Sequence, residues 1–149
     1  MKIGVLALQG AFIEHKNILD SIKIEAIEVR LPADLEGLNG LIIPGGESTT
    51  ILKLMHSYEI FQPLKNMIGK GLAVWGTCAG MICLAKNVLN SEQSVLKPLA
   101  VMDITVRRNA FGRQVDSFEI DLDIHGLDSP PFHAVFIRAP LIEKVEDSV

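Results

Sequence analysis

A cysteine between two glycines, Gly76-Thr77-Cys78-Ala79-Gly80, sits where a short apolar run turns into a stretch of small residues, and few folds accommodate such a join. Residues 72–75 read as a strand rich in β-formers, and residues 79–85 as a small-residue helix. The Gly-x-Cys-x-Gly pattern between them is a nucleophile elbow with cysteine in place of serine. A strand that turns abruptly into a helix forces its apex residue into a strained backbone conformation. Flanking glycines let strand and helix approach without Cβ clashes. The apex side chain then projects from the fold at the helix N-terminus, where free N–H groups and the helix dipole favour a thiolate. An isolated cysteine is more often a small buried hydrophobe. Glycines at both required offsets make Cys78 the candidate nucleophile instead.

Composition narrows the classes. The 149 residues are 48% hydrophobic, enough for one globular domain spanning residues 1–149 with a real core. A net charge of −4 gives no basic surface for nucleic acid. The two cysteines, Cys78 and Cys83, match neither a C-x-x-C nor a zinc spacing. Both fall on one short helix, which cannot close on itself as a disulfide. Reduced thiols suit the cytoplasm. The first apolar run is too short for a signal peptide, and no run approaches a membrane span. No metal or cofactor is expected.

Taken in order, residues 3–8 form a continuous apolar strand of the kind buried on both faces of a parallel sheet. Gln9 and Gly10 make a turn. Phe12, Ile18, Leu19 and Ile22 then give a helical stripe, with Glu14, His15, Lys16 and Asp20 facing water. Residues 26–29 and 41–43 are further strands. The spacing predicts helices over residues 49–57 and 61–68, then the elbow strand and a helix running to Asn87. This βαβα order means an α/β fold on a mainly parallel sheet. After Asn90 the pattern alternates: residues 101–107 and 118–124 read as half-exposed antiparallel strands joined to the sheet through a turn at residues 109–113. Residues 134–137 are another apolar strand, and residues 143–149 a polar end. The strands carrying Val5, Ile42 and Val74 are expected side by side and parallel, in three α/β/α layers.

Ligands in such a fold bind beyond the carboxyl ends of the strands. One such end is Pro44-Gly45-Gly46-Glu47-Ser48. Ser48 or Thr49 reads as the cap of the following helix. A Gly-Gly pair exceeds what capping needs, and an oxyanion site needs two converging N–H donors. The candidates are the N–H groups of Gly46 and Ala79. Arg107, Arg108, Arg113 and Arg138 lie near strand ends, and an Arg fork grips a carboxylate bidentately. Arg138, after an apolar strand and before Ala139-Pro140, is the best placed by pattern. A thiol nucleophile needs a base. Of His15, His56, His125 and His133, the first two read as solvent-facing and His133 as the least implausible. None has a carboxylate two residues on to orient it.

Five blocks occur in order: residues 4–10, 44–50, 76–80, 108–118 and 136–140. Together they resemble the glutaminase subunit of pyridoxal 5'-phosphate synthase, a class I, triad-type glutamine amidotransferase family. The resemblance covers essentially the whole chain. It implies a flavodoxin-like class I glutaminase fold and a reaction in which the cysteine attacks the side-chain amide of L-glutamine. Ammonia leaves, and water hydrolyses the thioester to L-glutamate. It also implies a partner, the barrel-shaped synthase subunit, which takes the ammonia to build the vitamin B6 cofactor. Carried over, Cys78 is the nucleophile, and Gly46, Glu47, Ser48, Arg108, Ile137 and Arg138 line the glutamine site. The family closes its triad with a His-x-Glu pair on a late strand, and no His-x-Glu occurs in these 149 residues. Three readings follow: a glutaminase, a truncated or degenerate subunit that docks on the synthase without cutting glutamine, and a thiol-dependent hydrolase or redox sensor on a similar fold. The blocks at residues 44–50 and 137–140 argue against the third.

Overall fold

The computed structural model describes residues 1–89, 96–108, 110, 117–127, 130–147 and 149. Strands β1 (Lys2–Leu6), β2 (Glu25–Val29), β3 (Gly40–Ile43) and β4 (Ala73–Gly76) form one parallel sheet in the order β2-β1-β3-β4. Val5 stands opposite Ile42, and Ile42 opposite Trp75, so the three expected strands are adjacent and parallel. β3 is buried throughout, as its uninterrupted apolar run requires. Among the described residues β4 is paired on one side only, and its Ala73 and Trp75 are exposed.

Helices α2 (Ser48–Ser57), α3 (Phe61–Gly69) and α4 (Ala79–Leu84) cover one face of this sheet. Leu6, Val29, Leu41 and Ile43 from the strands pack there with Ile51, Met55, Leu64 and Cys83 from the helices. Each such aliphatic side chain contributes about 1.5–3 kcal/mol on burial. Helix α1 (Phe12–Ser21) lies against β1 and β2 and buries none of its residues fully. Because side chains alternate along a strand, Val5 and Ile42 face this second, thinner layer. No helix among the described residues is long and apolar enough to cross a membrane.

The second half departs from expectation in three ways. The elbow helix does not run to Asn87: it ends at Leu84, and Ala85 turns to extended backbone. The strand that follows, β5 (Ala85–Leu89), pairs in parallel with β6 (Met102–Arg107). Ile82, Ala85, Ile104 and Val106 make a second small core there, and that burial overrides the helical tendency of residues 85–87. The late strands do not extend the parallel sheet either. β6 lies between β5 and β9 (Leu141–Val145), and among the described residues β7 (Phe118–Leu122) pairs only with β8 (Phe132–Phe136), in an antiparallel hairpin. Lastly, the stretch expected as a polar end begins inside β9, whose five residues are all exposed and which β6 holds by antiparallel pairing. The expected turn at residues 109–113 lies, apart from Ala110, outside the described residues, and Arg113 with it.

Candidate active site

Two loops leave the carboxyl ends of neighbouring parallel strands and meet. The β4 loop is the elbow. Cys78 is exposed and sits at φ 50°, ψ −106°, a conformation that costs a non-glycine residue on the order of 1–3 kcal/mol. Close backbone approach forces the two glycines. A Cβ on Gly80 would lie 2.0 Å from the Ile43 carbonyl oxygen, and one on Gly76 would lie 2.5 Å from the Gly80 carbonyl carbon. Helix α4 is thereby pressed onto the end of β3. Thr77 fastens the turn: its N–H donates to Ile43 O at 3.1 Å, and its carbonyl accepts from Gly80 N at 2.8 Å.

The β3 loop runs past the cysteine. A Cβ built on Gly45 would stand 3.5 Å from the Cys78 Cβ. Gly45 O accepts from Ala11 N–H at 2.9 Å, and Glu47 N–H donates to Gln9 Oε1 at 2.9 Å, so the turn before α1 braces this loop. Among the described residues neither Gly46 N–H nor Ala79 N–H donates to another group. Both are free donors on loops that adjoin the thiol.

Glu47 is the hub of the β3 loop, and it displaces Ser48 and Thr49 from the capping role the sequence suggested. Its carboxylate caps α2, accepting from Thr49 N–H at 3.2 Å and Thr50 N–H at 2.7 Å, and from both threonine hydroxyls. Ser48 is instead the first helical residue and is buried. A Glu side chain is one methylene longer than the usual Asp cap, and the two following threonines hold it in place. Partial burial opposes its charge, but the hydrogen bonds from Thr49 and Thr50 outweigh it and hold its pKa at about 2, against an ordinary 4.5.

Arg108, just past β6, donates from Nη2 to Glu47 Oε1 at 3.0 Å. This contact ties the second half of the chain to the β3 loop. Ser48, Thr49, Ile82 and Arg108 also line a pocket of about 130 Å³. A model of the SNO glutamine amidotransferase family matches residues 5–149. The chain belongs to that family.

Its relatives agree. The chain is 61% identical over 149 residues to "Pyridoxal 5'-phosphate synthase subunit PdxT" of Dehalococcoides mccartyi, covering all of this chain and 76% of that protein. It is 57% identical over 148 residues to the protein of the same name from Deinococcus radiodurans, covering 97% of this chain and 74% of that one. A crystal structure of a glutamine amidotransferase superposes with a TM-score of 0.88 at 51% identity, over 97% of this chain and 75% of that chain. The α/β fold and the resemblance to the glutaminase subunit read from the five sequence blocks are thus borne out.

The two remaining positions that the resemblance implies make no such contact. Ile137 and Arg138 follow β8 and are exposed, with Arg138 at φ 46°. Among the described residues no hydrogen bond or ion pair ties either of them to Cys78, Gly46, Glu47 or Arg108. Arg107 pairs with Glu143 across β6 and β9, away from the elbow.

Of the four histidines, His15 differs from expectation. His15 does not face solvent. It is half-buried on α1, its Nε2 lies 3.2 Å from Thr77 Oγ1, and its ring meets Trp75 edge-on at 5.8 Å. Burial lowers its pKa, with Glu14 working the other way. His133 is committed to its own hairpin: Nδ1 lies 2.8 Å from Asp121 Oδ1 and Nε2 3.0 Å from Glu119 Oε2. Those carboxylates raise its pKa. His56 stacks on Phe61 and His125 lies in an exposed turn.

Cys83 is fully buried, with its thiol directed at Ser48 O at 3.9 Å. Burial, helped by the Glu47 charge and opposed by Arg108, pushes its pKa up to about 12, which leaves it a neutral thiol. Gln9 and His15 are the site neighbours that reading the sequence missed. Gln9 looked like part of a turn and nothing more. His15 carried no motif, and its contact joins residues 62 positions apart.

Proposed function

We propose that this chain binds L-glutamine at the elbow and that Cys78 attacks its side-chain amide. The sulfur bonds to the amide carbon, and the developing oxyanion takes hydrogen bonds from Gly46 N–H and Ala79 N–H. The C–N bond breaks, ammonia leaves after taking up a proton, and water then hydrolyses the thioester to L-glutamate and restores the thiol. Glu47, Ser48, Arg108, Ile137 and Arg138 hold the substrate. The relatives are named as a subunit of pyridoxal 5'-phosphate synthase, which supports a partner subunit of that synthase. On this reading the partner receives the ammonia.

The observation that carries this reading is the strained, exposed Cys78 set against the Gly45-Gly46 loop. Its test is mass-spectrometric mapping of the chain after exposure to a diazoketone analogue of glutamine. Cys78 takes the label, and excess glutamine protects it. A label on Cys83, or none, refutes the assignment.

A second reading applies to the 149 residues taken alone, in which no His-x-Glu occurs. On that reading the chain docks on the synthase subunit but does not turn glutamine over. Analytical ultracentrifugation with that subunit, run beside an ammonia-release assay, separates the two.

A further inference from the structure

Thr77 is the residue before the nucleophile, and each of its polar groups is anchored to a different element. Its N–H is held by β3, its carbonyl by α4, and its hydroxyl by His15 of α1. The first two are backbone contacts that any residue could make. The third depends on two particular side chains. The His15 ring is further fixed by the edge contact with Trp75, on the strand that leads into the elbow. The turn that opens α1 is also the one that braces the opposing loop, through Ala11 N–H on Gly45 O and Gln9 Oε1 on Glu47 N–H. The start of α1 therefore touches both loops of the site, and His15 is its contact with the elbow.

We propose that His15 is a positioning residue for the reaction: through the Thr77 hydroxyl it holds the Cys78 turn in register with the Gly46 N–H. This rests on the reading of Cys78 as the glutamine nucleophile. Burial favours the neutral imidazole. The contact is then an ordinary hydrogen bond, its direction set by the tautomer and the hydroxyl rotor. A long amide can reproduce it, because the end of a Gln side chain reaches roughly where His Nε2 lies. A misplaced thiol still reacts with a small electrophile from solvent. It reacts poorly with one that must first seat as glutamine does, since a shift of about 1 Å in an aligned pair costs heavily in rate.

The test compares His15→Ala, His15→Gln, Thr77→Val and the Ala/Val double variant in the 149-residue chain. Cys78 labelling is followed with the diazoketone analogue and, separately, with iodoacetamide, and thermal unfolding is recorded for each protein. A neutral hydrogen bond corresponds to a change of about three- to tenfold. His15→Ala and Thr77→Val should each slow the diazoketone reaction by about that factor, with iodoacetamide labelling nearly unchanged. His15→Gln should restore most of the rate. The double variant should be no slower than the slower single one, because the two residues act through one contact. Unchanged diazoketone rates in Thr77→Val, or multiplying effects in the double variant, overturn the proposal, as does an iodoacetamide rate that falls in step. If His15→Ala does not fold, Thr77→Val and His15→Gln still decide. Absence of diazoketone labelling in the unmodified chain removes the nucleophile assignment and this inference with it, whereas labelling that ignores His15 and Thr77 removes only the inference.

Discussion

Arg108 reaches Glu47 across 61 positions of sequence, and their 3.0 Å contact joins the loop after β3 to the end of β6. The arginine is largely covered while the glutamate is about half exposed, so the pair is only partly desolvated. Its importance is geometric. The carboxylate that receives Arg108 also caps α2.

Replacing Glu47 with Ala therefore removes a cap and leaves Arg108 without its partner. Loss of an N-cap typically costs about 0.5–2 kcal/mol, and the expected loss of unfolding free energy, read from urea denaturation, lies in that range. The folded carboxyl titrates at about 2 and the unfolded one near 4.5. The sign follows: the contribution is complete above 4.5 and is lost as pH falls toward 2. Stability curves for the native and Glu47→Ala proteins should converge on acidification. Curves that stay parallel from neutral pH down through that window show that the cap contributes nothing.

Two glycines make opposite predictions. Gly80→Ala puts a methyl 2.0 Å from a backbone carbonyl that cannot move without shifting β3. Overpacking of this kind costs about 1–3 kcal/mol, and it should also abolish glutamine-analogue labelling of Cys78. Gly69 has no atom within 4 Å of an added Cβ and ends α3. Gly69→Ala should stabilise by about 0.4–1 kcal/mol by restricting the unfolded chain. Thermal melts of the two proteins check both signs.

The contrast between those glycines shows where the sequence was legible. Continuous apolar runs announced β1 and β3, because strands covered on both faces cannot carry polar residues. The elbow was legible because its glycines are demanded by local backbone contact. β5 was not, since Ala85, Lys86 and Asn87 suit a helix and become a strand only by pairing with β6. β9 was missed for a related reason: all five of its residues are exposed, so no alternation marks it. The same limit applies within the site. Ser48 and Thr49 have the chemistry of helix caps, yet the longer Glu47 reaches the helix end first. His15 meets Thr77 only after β1 and β4 have been brought into one sheet.

His15 and His133 should tilt the pH dependence of stability in opposite directions. His133 gains a proton more readily in the fold, through its hydrogen bonds to Asp121 and Glu119. Its contribution is complete below 6.5 and is lost as pH rises through its raised folded value. His15 gains a proton less readily, because burial disfavours the charge. Its contribution is complete above 6.5 and is lost as pH falls through its lowered folded value. Urea midpoints of His15→Gln should be flatter than the parent's on the acid side, and those of His133→Gln flatter on the alkaline side. Identical profiles for parent and variants would show that neither contact persists in solution.

Substrate affinity separates the two arginines from their neighbours. Removing one partner of a buried charge-assisted pair typically costs about 2–5 kcal/mol. Arg138→Ala and Arg108→Ala should each weaken glutamine binding by more than tenfold, read by isothermal titration. Arg107→Ala, which loses only a surface pair with Glu143, should leave it unchanged. An Arg138→Ala protein that binds like the parent excludes that residue from the glutamine site.

Turnover asks more of the chain than binding does. Attack by Cys78 needs only the thiolate, the substrate and the two N–H donors. Collapse of the tetrahedral intermediate then needs a proton for the leaving ammonia, and hydrolysis of the thioester needs a base to activate water. A positioned histidine ordinarily does both, contributing about 10²–10⁴-fold. Three of the four histidines are otherwise engaged, His15 on Thr77, His133 between two carboxylates and His56 against Phe61, and His125 lies in an exposed turn. The 149 residues taken alone hold no His-x-Glu, and in them both steps then fall to solvent. The 149-residue chain is therefore expected to take a glutamine-analogue label at Cys78 yet release ammonia from glutamine at least about a hundredfold more slowly than the same chain extended to carry a His-x-Glu segment, with the synthase subunit present in both assays. Equal rates would assign the base to one of the four histidines, and His15, half-buried beside the elbow, is then the first to replace.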